Sequence, residues 1–131
     1  MKYYMAGIKG AGMSALALLL SDLGYSIVGY DDAKEHRFTE DRLLERGIKI
    51  YSEANDELDQ DTIVIYSPAL KKDTHPELIK ATNMGIKIYE YQEMLGKLSK
   101  MFETICISGC HGKTTTTSMI SHIFSNITGC N

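Results

Sequence analysis

The chain has 131 residues, 44% hydrophobic and 24% charged, enough for one domain with a true core and ordinary for a soluble globular protein. A net charge of −3 excludes broad electrostatic attraction to nucleic acid or an anionic membrane, and no apolar run reaches bilayer-spanning length. The three cysteines, Cys106, Cys110 and Cys130, fit neither a disulfide framework nor a zinc site, and Met1-Lys2-Tyr3-Tyr4-Met5 carries no signal-peptide pattern, so a reducing cytoplasm is the expected location.

Tyr3-Tyr4-Met5-Ala6 reads as a short strand, followed by a glycine-rich turn, Gly7-Ile8-Lys9-Gly10-Ala11-Gly12-Met13-Ser14. Ala15 to Leu23 reads as a helix stopped by Gly24, and Tyr25 to Tyr30 as a second strand with Asp31 and Asp32 at its end. This βαβ unit carries an altered dinucleotide fingerprint. The Gly-x-Gly-x-x-Gly pattern wants glycine at Lys9, and what stands here is Gly7-x-x-Gly10-x-Gly12. Gly7 can still make the tight turn, and Gly12 can still allow close helix–strand packing. Lys9 puts a side chain where a dinucleotide pyrophosphate meets bare backbone. Asp31 stands where an acid can bind a ribose hydroxyl. The pattern points to a phosphate-bearing nucleotide more than to NAD; a turn without ligand, and a solvated Asp31, are the structural alternatives.

Alternation continues. Thr39 to Arg46 reads as a helix ending at Gly47, Ile48 to Tyr51 as a strand, and 55–60 as a loop or short helix. Thr62-Ile63-Val64-Ile65-Tyr66 reads as the most buried strand, leading into Ser67-Pro68-Ala69-Leu70. Thr74-x-x-Glu77 is a capping-box pattern before a helix that runs to Gly85. Ile86 to Tyr89 is the next strand and Tyr91 to Met101 the next helix. Gly-Ile-Lys-Ile-Tyr occurs at 47–51 and again at 85–89, each time after a helix, as one local problem solved twice. Strands alternating with helices predict an α/β fold, a Rossmann-like parallel sheet with helices on both faces. Ligands of such sheets sit at the strands' carboxyl ends, so the Gly7 loop, Asp31 and Ser67-Pro68-Ala69 are expected to share one crevice. A plain turn is the alternative for Ser67-Pro68.

A second phosphate-binding pattern follows. Thr104-Ile105-Cys106-Ile107 reads as a buried strand, Gly109-Cys110-His111-Gly112-Lys113-Thr114-Thr115 as a glycine turn, and 118–124 as a helix. Strand, glycine turn, Gly-Lys-Thr and helix is the layout of a phosphate loop. In that layout Lys113 reaches the outer phosphates and Thr114 ligates Mg²⁺. The general motif wants glycine at Ile107, so this loop is shorter.

With these residues in hand the chain resembles the Mur ligases. Gly7 to Ser14 is similar to that family's Gly-Ile-Gly-Gly-x-Gly-Met-Ser opening. Tyr66 to Leu70 resembles its strand-end turn, and Glu93-Met94-Leu95 the segment before its domain boundary. Gly109 to Thr116 resembles its Gly-Thr-His-Gly-Lys-Thr-Thr-Thr loop, where His beside Gly-Lys-Thr marks the alanine-adding branch and its recycling relatives. The resemblance implies that residues 1–102 hold UDP-N-acetylmuramate through Gly7, Ile8, Lys9, Gly10, Ala11, Gly12, Met13, Ser14, Asp31, Ser67, Pro68 and Ala69. It implies that 103–131 open an ATP-binding domain whose contacts are Gly109, Cys110, His111, Gly112, Lys113, Thr114 and Thr115. Lys113 and Thr114 are then the catalytic pair, with Mg²⁺ on Thr114. The implied reaction activates a carboxylate with ATP for attack by the amine of L-alanine, in peptidoglycan synthesis. Two departures stand out: Lys9 replaces a glycine, and Cys110 replaces a threonine.

Because the chain stops just past the first helix of that domain, it is expected to be the N-terminal portion of a longer ligase and inactive alone. Its tail, 104–131, is expected to dock on the sheet edge of its own or a neighbouring chain, with a homodimer contact the favoured arrangement. A free-standing NAD-type module and a small phosphate-loop ATPase are the competing readings, and within the resemblance the related peptidoglycan-recycling ligase is the alternative. The altered glycine pattern argues against the first, and the lack of a following strand-borne acid against the second.

Overall fold

The computed structural model describes residues 1–128; Cys130, and the last part of the expected tail contact, lie outside them. Two compact units divide the chain, one of Met1–Leu98 and one from Ser99 onward.

The first unit is a five-stranded parallel sheet of order β3-β2-β1-β4-β5. Its strands are β1 (Lys2–Ala6), β2 (Ser26–Tyr30), β3 (Lys49–Tyr51), β4 (Thr62–Tyr66) and β5 (Lys87–Glu90). Its helices are α1 (Ala11–Asp22), α2 (Phe38–Glu45), α3 (Pro76–Asn83) and α4 (Tyr91–Ser99). The most buried strand is β1 rather than β4, because β1 pairs on both edges at the centre of the sheet. Its run Tyr3-Tyr4-Met5-Ala6 is apolar throughout because both faces are covered.

Side-chain alternation along β1 sorts the two cores. Tyr3 and Met5 join Ile27 and Ile65 beneath Met13, Leu16, Ala17 and Leu20 of α1, Leu43 of α2, and Met94 and Leu98 of α4. Tyr4 and Ala6 join Val28 and Val64 on the opposite face, against Leu78 and Ala81 of α3 and the loop residue Leu58. After β3 the chain returns to the far side of β1, and the helix after β4 therefore covers the other face. The strand order thus reverses between β1 and β4, the place where open α/β sheets present a crevice.

The repeated Gly-Ile-Lys-Ile-Tyr supplies the two edge strands, β3 and β5. Each is short and begins with an exposed lysine, Lys49 or Lys87. Short, charged edges resist pairing with another sheet.

Two local expectations are corrected. Helix α1 begins at Ala11, four residues ahead of Ala15, because Gly10 takes the extended N-cap conformation. The capping box at Thr74 and Glu77 does not form: α3 starts at Pro76 with His75 as N-cap. Glu77 instead points inward, 3% exposed, where its carboxylate accepts the Tyr4 hydroxyl at 3.0 Å. A capping-box contact occurs at α4, where Glu93 accepts the backbone N–H of Glu90 at 2.8 Å.

In the second unit Thr104–Ile107 is neither buried nor a strand; its residues are exposed apart from half-buried Ile107. No strand among the described residues pairs with it, and a lone extended segment has no ladder to satisfy its backbone. Helix α5 (Lys113–Thr128) starts at the lysine itself, five residues before Ser118.

Candidate functional site

At the carboxyl end of β1 the backbone turns through Gly7, whose φ is +80°. A Cβ there would also meet the Ser67 Cβ at 2.8 Å, so only glycine lets the first and fourth strand ends approach this closely. Most of the loop's own donors are consumed in holding the turn. The N–H groups of Gly7 and Ile8 donate to the Tyr30 carbonyl, at 2.7 and 3.3 Å, and that of Gly10 donates to the Gly7 carbonyl. The N–H of Lys9 donates to Asp31 Oδ2 at 2.9 Å. The donors left for a ligand are those of Ala11, Gly12 and Met13, the first turn of α1, which have no intrahelical acceptor. They carry the positive end of the helix dipole.

Gly12 lies in this first turn, and its bare Cα faces Tyr91. A Cβ at Gly12 would sit 2.8 Å from the Tyr91 hydroxyl. The bare Cα of Gly12 therefore admits Tyr91 rather than a strand; the tight approach to a strand is made by the loop residue Ile8, which packs onto Gly29 of β2, where a Cβ would meet its side chain at 2.7 Å.

Two clefts flank the start of α1. One, of about 170 Å³, is lined by Gly7, Gly10, Asp31, Asp32, Ala33, Arg37, Ser67, Ala69 and Leu70. The other, of about 330 Å³, is lined by Gly10, Ala11, Gly12, Met13, Ser67, Pro68, Tyr91 and Gln92. The Gly7 loop, Asp31 and Ser67-Pro68-Ala69 therefore come together around one helix N-terminus. A further groove of about 380 Å³, lined by Leu18, Leu19 and Phe38 among others, follows the solvent side of α1 and α2.

Three predicted contacts point elsewhere. Ile8 is fully buried. Ser14 Oγ donates to the Ala11 carbonyl within α1. Lys9 is 7% exposed, and its side chain runs toward α2, where Nζ lies 3.0 Å from the Glu40 carboxylate; it also donates to the Ala33 carbonyl before that helix. Asp31, also 7% exposed, accepts the N–H of Lys9 on Oδ2 and that of Ala33 on Oδ1. It thus clamps the glycine loop to the end of β2, whatever else it contacts.

Sequence reasoning missed Tyr91, Gln92, Asp32 and Arg37 as cleft residues. They lie outside the glycine motif and reach the cleft only through the fold. The available signal was position: Asp32 and Arg37 follow the second strand, and Tyr91 and Gln92 follow the fifth.

In the second unit the glycine turn leads directly into α5. The N–H of Thr116 donates to the Gly112 carbonyl at 3.0 Å, so the N–H groups of Lys113, Thr114 and Thr115 form the open first turn. Lys113 Nζ folds back to donate to the Gly109 carbonyl at 2.7 Å. Cys110 and His111 are exposed on this loop and Thr114 on the first turn of α5, and Cys106 and Cys110 are free thiols. These donors, an ammonium and a hydroxyl fit a phosphate group and a hydrated divalent cation.

Comparison with known proteins gives consistent relatives. The family model described as Mur ligase family, catalytic domain, matches residues 2–103. A UDP-N-acetylmuramate–L-alanine ligase from Lactiplantibacillus plantarum is 44% identical over 125 residues, which span 95% of this chain and 28% of the relative. The crystal structure of a UDP-N-acetylmuramate-alanine ligase from Thermotoga maritima superposes with a TM-score of 0.82 at 30% identity, over 95% of this chain and 29% of that one. A murein peptide ligase from Psychrobacter arcticus gives 0.79 at 26% identity, over 95% and 26% of the two chains. The chain thus spans less than a third of the length of these relatives.

Proposed function

The chain belongs to the Mur ligase family, and from that premise we propose that it is the UDP-N-acetylmuramate-binding, N-terminal portion of an ATP-dependent UDP-N-acetylmuramate–L-alanine ligase of peptidoglycan synthesis. Residues 1–102 hold the UDP-sugar and 103–131 open the ATP-binding domain. The observation that carries this reading is the convergence of the Gly7 loop, the Ser67 turn and the acid-lined end of β2 on the N-terminus of α1. The N–H groups of Ala11, Gly12 and Met13 receive the diphosphate. The smaller cleft, with Asp31 and Asp32 on its wall, takes the nucleoside, whose hydroxyls suit carboxylate acceptors. The larger, with Tyr91, Gln92 and Ser67, takes the sugar.

For the second unit the same proposal assigns ATP to the loop from Gly109 to Thr115, with Lys113 on the outer phosphates and Thr114 on Mg²⁺. When bound, MgATP would supply the phosphoryl group that activates the sugar's carboxylate for the L-alanine amine. To engage it, Lys113 must leave the Gly109 carbonyl. This loop is open to water in the 131-residue chain, so it lacks the dry, positioned surroundings that in-line transfer needs. The chain alone is therefore assigned binding without ligation. A cytoplasmic location and self-association through the C-terminal segment complete the proposal. The exposed stripe Met119, Ile123 and Ile127 on α5 supports the latter.

Calorimetric titration with UDP-N-acetylmuramate, UDP, NAD and ATP tests the reading. UDP and the UDP-sugar are expected to bind. Gly12→Val, whose side chain would run into the Tyr91 ring, is expected to weaken both by about tenfold or more, the loss of well-placed charge-assisted donors. Tight NAD binding without UDP binding would overturn it.

A further inference from the structure

We propose that Arg37, and not Lys9, supplies the positive charge that meets the nucleotide's diphosphate, and that Lys9 positions Arg37. The inference rests on the nucleotide reading above and deepens it. Lys9 stands in the glycine loop, but its ammonium is spent: Nζ lies 3.0 Å from the Glu40 carboxylate and donates to the Ala33 carbonyl at 3.0 Å. If this buried ammonium turned to a ligand, the Glu40 carboxylate would be left facing only the exposed His36 ring, 3.5 Å away.

Arg37 is in the opposite condition. It is exposed, it lines the smaller cleft together with Gly7, Gly10 and Ser67, and it is the one cation among the residues that do so. Its guanidinium has no hydrogen bond or ion pair to any described residue. The other charged groups on the cleft are Asp31 and Asp32. Both Asp31 oxygens already accept backbone N–H groups, and neither acid pairs with Arg37 among the described ion pairs. A planar, always-charged fork of donors matches a phosphate in two-point geometry.

The start of α2, and with it Arg37, is fastened to Lys9. Thr39 Oγ1 donates to the Lys9 carbonyl at 2.7 Å, and Glu40 pairs with the Lys9 ammonium. The N–H of Glu40 in turn donates to the Arg37 carbonyl at 2.8 Å. Thr39 and Glu40 thus hold the start of α2 to the glycine loop from two sides, and the backbone of Arg37, the N-cap of α2, is fixed where its side chain overlooks the cleft. Holding the residue in place before the ligand arrives reduces the ordering cost of binding.

The test is titration of the 131-residue chain with UDP and with uridine, followed by NMR shifts, with folding of each variant checked by thermal melting. Arg37→Gln is expected to weaken UDP about tenfold, the size of one lost charge-assisted contact, and to leave uridine unchanged. Arg37→Lys is expected to recover part of the loss. Lys9→Met is expected to weaken UDP by a similar factor, and the double variant to be no worse than either single one. UDP binding by Arg37→Gln equal to that of the parent overturns the inference while the nucleotide reading stands, as does an equal loss of uridine. Parent-like UDP binding by a folded Lys9→Met overturns the positioning role. A parent chain that binds no UDP overturns the nucleotide reading and this inference together.

Discussion

Tyr4 sits on the central strand with its side chain fully buried, and its hydroxyl still has two partners. It donates to the Glu77 carboxylate at 3.0 Å and accepts from the Asn55 side-chain amide at 2.9 Å. Burial raises the phenol's pKa well above the ordinary 10.0; the Asn55 amide opposes this, and the neighbouring Glu77 charge adds to it. The folded state therefore keeps the proton at pH values where the unfolded chain has lost it. Stability from this group is complete below about pH 10 and falls as the pH rises beyond that. Tyr4→Phe removes that component, so the alkaline decline in stability should become shallower. It also leaves the buried Glu77 carboxylate without its donor, which should cost about 1–3 kcal/mol near neutral pH. Urea unfolding at pH 7 and at pH 10.5 checks both effects. An unchanged midpoint at pH 7 would mean that Glu77 finds another partner.

At the scale of elements, the parallel sheet was legible because each strand is an apolar run set between a helix and a turn, and each of the first three helices ends at a glycine. The paired Gly-Ile-Lys-Ile-Tyr segments were legible as a repeat but not as the two sheet edges, since strand order depends on which side of β1 the chain returns to. Glu77 was misread because a capping-box spacing looks the same whether its carboxylate turns back to the backbone or inward to Tyr4. The segment 104–107 was misread because an apolar β-branched run says nothing about whether a neighbouring strand exists to pair with it. Cleft residues in the glycine loop were legible from their motif; Arg37 and Tyr91 were not, because only the fold carries them there. The edges themselves yield a prediction. Replacing Lys49 and Lys87 together with valine should raise light scattering at high protein concentration, because it removes the charge that blunts both open edges. The far-UV spectrum at low concentration should be unchanged. No added scattering would show that the edges are protected by their shortness alone.

At the scale of the whole molecule, the two units carry different burdens. Both buried clusters are built entirely from residues before Ser99, and so are both clefts at the start of α1. The second unit has no such cluster among its described residues; Ile105, Met119, Ile123, Phe124 and Ile127 are all about half exposed or more. Met119, Ile123 and Ile127 follow one another at i, i+4 spacing, so they lie along a single side of α5. A stripe of this kind gains free energy when covered, roughly 25 cal/mol per Å² of apolar surface. A chain shortened to residues 1–100 therefore keeps its core and both clefts at the start of α1 and loses the sticky helix. It should melt cooperatively, bind UDP within about twofold of the full chain, and sediment as a monomer. The 131-residue chain should show a mass that rises with concentration, and Met119→Glu with Ile123→Glu should return it to the monomer, because a charge cannot be buried cheaply in an apolar contact. Equal, concentration-independent masses for both lengths would place self-association outside this helix, whereas loss of UDP binding on shortening would mean that the first unit depends on the segment after Lys100.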